Sequence, residues 1–198
     1  MATHWAILIG VGMTVDTTQR ENGQPEDRSL RGAVPDVQAT EAFLRTLSRP
    51  VDITTLTASK SPQSDLSSRP SETPEALPTR KNVLDALKRV ANSCAAGHQV
   101  YIHFSGHGTR RPVPDLYKRS WESVALVLFS DRPEGREYLF AETMHKYLRM
   151  ITLKGAYVTL VLDCCFSGSV MRTEAHLDSL IRFIEYDIAE TKGATEKS

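Results

Sequence analysis

The sequence predicts an α/β domain with a mainly parallel central sheet. Four short apolar runs have the length and composition of buried strands: "WAILIG", "VDITTL", "QVYIHFS" and "YVTLVLD". Between them lie segments whose apolar residues recur at helical spacing. Strands that alternate with helices are typical of parallel sheets with helices packed on both faces. We therefore expect all four strands to be buried on both sides.

The helices are predicted from their end signals. The first begins at Val34, because Pro35 and Asp36 suit the first turn of a helix. The second runs from a Thr79 cap to Gly97, where glycine ends the helical pattern.

Two further elements lie between the third and fourth predicted strands. A hairpin is predicted where "ESVALVLFS" and "REYLF" flank "DRPEG". A third helix is predicted over 141–151, because its apolar residues fall on one face.

Length and charge restrict the domain organisation and the partners. The 198 residues suffice for one core, and we expect one domain over 1–190, with loops at 14–29 and 57–78 and a polar tail at 191–198.

The formal net charge is zero, which provides no case for nucleic acid or an anionic membrane as a partner. No apolar run reaches the roughly 18 residues that span a bilayer. Three cysteines without an export signal predict free thiols in the cytoplasm.

Two strand ends carry residues suited to nucleophilic catalysis. "YIHFSGHG" places His107 between glycines after one strand, and "VTLVLDCCFSG" places Cys164 and Cys165 after another. In open α/β sheets, active sites form beyond the carboxyl ends of the strands. A thiol beside an imidazole is a nucleophile with its base, and glycines leave backbone amides accessible to an oxyanion.

These segments resemble the two signatures of the caspase-like cysteine peptidases, especially the metacaspases and their fungal relatives: S-G-H-G, then D-x-C-x-S-G. "LRGAVPD" at 30–36 resembles a third family segment. The resemblance implies a caspase-like three-layer α/β/α sandwich and an endopeptidase acting on protein or peptide substrates. Family analogy alone would associate it with programmed cell death.

The resemblance also implies a role for individual residues. It makes Cys165 the nucleophile and His107 the base, with the backbone amides of Gly108 and Cys165 as the oxyanion hole. It makes Asp36 and Asp163 the substrate-binding acids, which would favour cleavage after Arg or Lys. Without the family, an acid in a first helical turn is also explained by the helix dipole, and Asp163 could cap a turn.

Other interpretations of the thiols and histidines are weaker. Adjacent strand cysteines point to opposite sides, so only one can meet His107, and a disulfide between them would be strained. A zinc site of His103, His107, Cys164 and Cys165 fits no usual ligand spacing. We expect Cys94 and Cys164 to pack as small apolar side chains and His103 to be a buried strand residue.

The sequence departs from the metacaspase pattern in ways that affect cofactors and partners. Many metacaspases have an acidic calcium-binding loop, and only "DRPEG" at 131–135 resembles it here. We therefore expect no required cofactor, and calcium dependence stays open. Only some 33 residues follow Cys165, so the C-terminal strands of the family are expected to be missing. The strand "YVTLVLD" would then be an exposed edge through which the chain self-associates. The alternative function is a catalytically inactive caspase-like interaction module.

Overall fold

The computed structural model describes residues 3–16, 26–60, 69–113, 121–130 and 136–164. Strands β1–β9 and helices α1–α3 are numbered along these ranges, and a 3-10 helix at Pro74–Ala76 precedes α2. In chain order they are β1 His4–Val11, β2 Val15–Asp16, β3 Glu26–Asp27, α1 Ala33–Arg45, β4 Val51–Ala58, α2 Arg80–Ser93, β5 Gln99–Ser105, β6 Gly108–Val113, β7 Trp121–Phe129, β8 Arg136–Phe140, α3 Ala141–Leu153 and β9 Tyr157–Asp163.

The central sheet has the order β4-β1-β5-β9, and each neighbouring pair is parallel. Helix α1 covers one face, where Val37 packs against Ala6 and Leu8. Helices α2 and α3 cover the other face, where Ile7 and Ile9 join the main core. The prediction of a mainly parallel sheet between helices is confirmed. Parallel strands end at one edge, so the residues that follow β5 and β9 meet there.

The predicted hairpin strands belong to a second, antiparallel sheet. Its order is β6-β7-β8, and Leu126, Leu128 and Leu139 bring its apolar side chains into the main core. Strand β6 begins at Gly108, directly after His107. The second sheet therefore fixes the chain on the far side of the histidine from β5.

Helix α2 begins as predicted but ends earlier. Thr79 caps it by accepting a hydrogen bond from the Asn82 amide at 3.2 Å. The helix ends at Ser93, because Cys94 already has extended backbone with ψ 155°. Gly97, the predicted end, lies in the turn before β5 with φ +80°. The glycine is required there by its left-handed backbone and not by the helix.

Strand β9 differs from the expected burial. Its residues are exposed or half-buried and none is fully buried, with Tyr157 71% and Leu162 40% exposed. Leu160 and Leu162 line an apolar cavity of 180 Å³ that also touches α3 and β7. The prediction that this strand is buried on both faces is wrong, because β9 is the last strand of the sheet in the part of the chain described. The strands expected to be missing would follow Cys165, outside the described residues.

The described parts of the two predicted loops contain short elements. Strands β2 and β3 form a two-residue antiparallel ribbon at the ends of the stretch 14–29. The stretch 57–78 includes the end of β4 and the 3-10 helix. In the part of the chain that the structure describes, none of the helices has the length and apolar character needed to cross a membrane.

Candidate active site

His107 is the predicted base, and the structure buries it at the carboxyl edge of the sheet. Its exposure is 2%. Its Nε2 lies 2.6 Å from the backbone carbonyl oxygen of Arg28. A carbonyl only accepts hydrogen bonds, so Nε2 carries the proton and donates it. In the neutral ring the lone pair then lies on Nδ1, which is the nitrogen able to take a proton from a thiol.

Gly108 presents its amide on the side of β6 that faces away from β7. The His107 carbonyl accepts a hydrogen bond from the Val127 amide at 3.0 Å, so these two residues form a hydrogen-bonded pair of the β6–β7 ladder. Such pairs alternate with non-hydrogen-bonded ones in antiparallel sheets. Gly108 lies opposite Leu126 in the next, non-hydrogen-bonded pair. Its N–H group therefore points to the side of the ribbon that faces away from β7, as an oxyanion donor requires.

Gly106 joins the two strand ends. Its amide donates to the carbonyl of Asp163 at 3.3 Å, so the loop after β5 is bonded to the end of β9. A Cβ atom on this glycine would lie 2.7 Å from Cζ of Phe104 and 3.2 Å from Cβ of Val11. Glycine is needed here because neither core neighbour leaves space for a side chain.

Asp36 and Asp163 converge on one hydroxyl group. Ser105 Oγ lies 3.3 Å from Oδ2 of Asp36 and 3.2 Å from Oδ2 of Asp163. Asp36 is in the first turn of α1 and Asp163 ends β9, where it is the register partner of Ser105. Both carboxylates are half-buried, and the serine is fully buried. Two acids this close attract a cationic side chain, and a single O–H can donate to only one of them at a time.

Cys165, the predicted nucleophile, lies outside the described residues. The described site geometry is therefore that of the predicted base and the two acids. Cys164 is the last residue described. It is half-buried and packs against the main core. This packing agrees with the expectation that Cys164 fills space.

The remaining candidate ligands are accounted for by local contacts. His103 is buried on β5, and its Nδ1 lies 3.2 Å from Thr40 Oγ1. Cys94 is buried at the C-cap of α2, with Sγ 3.9 Å from the Ala91 carbonyl oxygen. Over the described ranges, no cluster of three or more His, Cys, Asp or Glu residues is arranged to hold a metal ion. The segment "DRPEG" lies outside the described residues.

Two groups of this site were missed in the sequence. Ser105 is part of the quoted S-G-H-G motif, and its register with Asp163 is the signal that points to it. The Arg28 carbonyl gives no such signal, because every residue type has a backbone carbonyl. Ser105 lies two residues before the predicted base His107, and Arg28 lies in the predicted loop 14–29.

The chain is similar to known proteins over most of its length. The family model for the metacaspase, peptidase C14 domain matches residues 5–174. Metacaspase-1B of Aspergillus terreus is 27% identical over 168 residues, which are 84% of this chain and 38% of that protein. Metacaspase-1 of Candida albicans is 28% identical over 146 residues, which are 72% of this chain and 30% of that protein.

The chain thus spans between 30% and 38% of the length of these curated relatives. Among solved structures, the crystal structure of protein GSU0716 from Geobacter sulfurreducens is similar, with a TM-score of 0.56 and 21% identity. That similarity covers 84% of this chain and 52% of the other, and it concerns the fold alone.

Proposed function

Because the chain belongs to the metacaspase family of peptidase C14 domains, we propose that it is a cysteine endopeptidase that cleaves peptide bonds after Arg or Lys. The observation that carries the proposal is the buried His107 with its Nε2 bonded to the Arg28 carbonyl. This bond directs Nδ1 to the proton-transfer role. The Asp36–Ser105–Asp163 group at the same sheet edge supports the specificity, because two neighbouring carboxylates attract a basic side chain.

The proposed reaction proceeds in two halves. His107 Nδ1 takes the proton of the Cys165 thiol, and the thiolate sulfur attacks the carbonyl carbon of the substrate. The Gly108 and Cys165 amides stabilise the oxyanion that forms. The C–N bond then breaks as His107 returns its proton to the leaving amine. In the second half, His107 removes a proton from water, the hydroxyl attacks the thioester, and the thiol is restored as the acid product leaves.

Specificity is assigned to the two acids. A guanidinium or ammonium group between Asp36 and Asp163 would gain charge-assisted hydrogen bonds to both carboxylates. An acidic substrate side chain would meet two like charges instead. The proposal therefore predicts cleavage after Arg or Lys and no cleavage after Asp.

No metal or organic cofactor has a role in the proposed chemistry. Turnover measured with EDTA and with added calcium tests this, and a strict requirement for calcium would contradict it. A catalytic thiol must stay reduced, so we also propose a cytoplasmic location, which cell fractionation tests.

The main experiment compares peptides with Arg, Lys or Asp before a fluorogenic leaving group. We expect the purified chain to hydrolyse the first two, and Cys165→Ala and His107→Ala to abolish the activity. Cys164→Ala is the matched control, because this thiol packs against the core and should leave kcat within about threefold. The variants Asp36→Asn and Asp163→Asn should each raise KM for Arg peptides about tenfold or more.

Two results would refute the proposal. One is the absence of turnover by the chain on every peptide, with and without calcium. The other is full activity in Cys165→Ala, which would assign the reaction to another group.

A further inference from the structure

The carboxylate of Asp27 is bonded at both oxygens, and both bonds bear on the group that holds His107. Its Oδ1 accepts from the Ser29 amide at 3.0 Å. This bond closes an Asx turn, in which an aspartate side chain bonds the backbone two residues on. Arg28 is the middle residue of that turn, and its carbonyl is the partner of His107 Nε2. The orientation of this carbonyl therefore depends on the Asp27 side chain.

The other oxygen of Asp27 reaches a different part of the chain. Oδ2 forms an ion pair with Lys60 Nζ, two residues beyond the end of β4. The Lys60 side chain is only 20% exposed. Burial would raise the pKa of Asp27, but the bonds from Lys60 and Ser29 outweigh it and hold this pKa below its ordinary value. The carboxylate is thus charged over the neutral range and available to both partners.

Both ends of this ion pair are attached to fixed backbone. Arg28 donates its amide to the Thr14 carbonyl at 3.1 Å, beyond the end of β1. On the other side, Ser59 directly precedes Lys60. Its amide and its hydroxyl group both donate to Glu72 Oε1, at 2.9 and 2.5 Å. The ion pair therefore connects two segments that are each held by further hydrogen bonds. Arg28 belongs to one of these segments, and its carbonyl bonds His107.

We propose that the Asp27–Lys60 ion pair is a latch that positions the Arg28 carbonyl and, through it, the imidazole of His107 for proton transfer. The inference rests on the proposed peptidase function for its kinetic consequence, but not for its structural one. Asp27 and Lys60 are positioning residues and touch no reacting atom. A partly exposed ion pair contributes little to stability, whereas a shift of about 1 Å in a catalytic group can cost about 100-fold in rate.

The test replaces Lys60 and observes His107 directly. Lys60→Met removes the charge but retains most of the side-chain length, and Lys60→Arg restores the charge. The populations of the two His107 tautomers are read from the ring ¹⁵N chemical shifts, and kcat and KM are measured on an Arg peptide. Lys81→Met is the matched control, because it breaks the exposed Lys81–Asp85 ion pair on α2, 2.7 Å long, away from the site.

In wild type we expect the Nε2–H tautomer to predominate. Lys60→Met should lower its population and reduce kcat about tenfold with KM within about twofold, and Lys60→Arg should restore both. If Lys60→Met does not fold, Asp27→Asn takes its place, since asparagine retains the turn acceptor and loses only the charge. Wild-type tautomer populations in Lys60→Met would overturn the latch, and so would an equal effect of Lys81→Met. If the wild-type chain shows no turnover, the proposed function fails, and the tautomer populations still decide the latch by themselves.

Discussion

Replacing Gly106 with alanine should disturb both the core and the active site, because this glycine has no room for a methyl group. An added Cβ would lie 2.7 Å from Phe104 Cζ and 3.2 Å from both Phe104 Cε1 and Val11 Cβ. Carbon atoms in contact are about 3.5–4.0 Å apart, so the ring or the loop must move by about 1 Å. Phe104 is fully buried in the main core and has no free space to enter.

The structure sets the expected size of the effect. Adding a methyl group to a packed core costs about 1–3 kcal/mol, and we expect this loss in the free energy of unfolding of Gly106→Ala measured in urea. The Gly106 amide also bonds the Asp163 carbonyl, so a displaced loop moves Asp163 relative to His107. We therefore expect kcat/KM on an Arg peptide to fall by about 100-fold.

A double-mutant cycle separates the proposed clash from other causes. Phe104→Leu removes the ring atoms that an alanine at 106 would strike, so the two substitutions together should destabilise less than the sum of the single ones. Gly97→Ala is the control. It has no atom within 4 Å of its added Cβ and lies before the opposite end of β5. It should cost about 1–2 kcal/mol through its positive φ and show no coupling to Phe104→Leu. Unchanged stability of Gly106→Ala, or additivity with Phe104→Leu, would refute this reasoning.

Three further predictions concern other parts of the molecule. Ser105→Ala removes the O–H shared by Asp36 and Asp163. A hydrogen bond to a charged group is worth about 1.5–3 kcal/mol, so kcat/KM on an Arg peptide should fall at least tenfold. An unchanged kcat/KM would contradict the assignment of Ser105 to the substrate-binding group. Bidentate hydrogen bonds from Arg89, at 2.9 Å each, lower the pKa of Asp52. Because the folded pKa is the lower one, the ion pair stabilises the fold above the unfolded pKa of about 4 and is lost as the pH falls through the folded value. In urea unfolding, Arg89→Met should therefore cost more at pH 7 than near pH 2, by about 1 kcal/mol or less, because the contacts of Arg89 with Thr54 and Trp5 do not titrate. An equal loss at both values would exclude the ion pair as the cause of the difference. The exposed apolar residues of β9 predict self-association, which Leu160→Lys should weaken in sedimentation equilibrium; a wild-type chain that is monomeric at all concentrations would rule this out.

Much of the fold was predictable because strands and helices follow local patterns. Strands β5 and β9 have the bounds of the runs "QVYIHFS" and "YVTLVLD", since apolar runs of this length between turn signals are typical of sheet strands. Burial was less predictable. An apolar run shows that a strand can be covered but does not identify the element that covers it, and β9 is exposed at Tyr157 and Leu162.

The end of α2 shows a related limit. Gly97 was an obvious stop signal, yet the helix ends at Ser93 because Cys94 has left the helical conformation, and the glycine serves the following turn. A glycine shows that some backbone near it needs a positive φ, but the sequence does not say which element needs it.

At the candidate site, the limit of sequence reasoning depends on which atoms carry the function. The roles of Asp36 and Asp163 were predicted from the resemblance to the metacaspases, because the residues alone left a helix dipole and a turn cap as explanations. Ser105 required the pairing of β5 with β9, which is a long-range feature, although its register follows once that pairing is assumed. The carbonyl of Arg28 was beyond prediction, because a backbone group has the same chemistry in every residue and only its three-dimensional position makes it a partner of His107. Asp27 is a residue whose side chain relates to this backbone group. Its carboxylate closes a turn around Arg28 and so fixes the orientation of the Arg28 carbonyl.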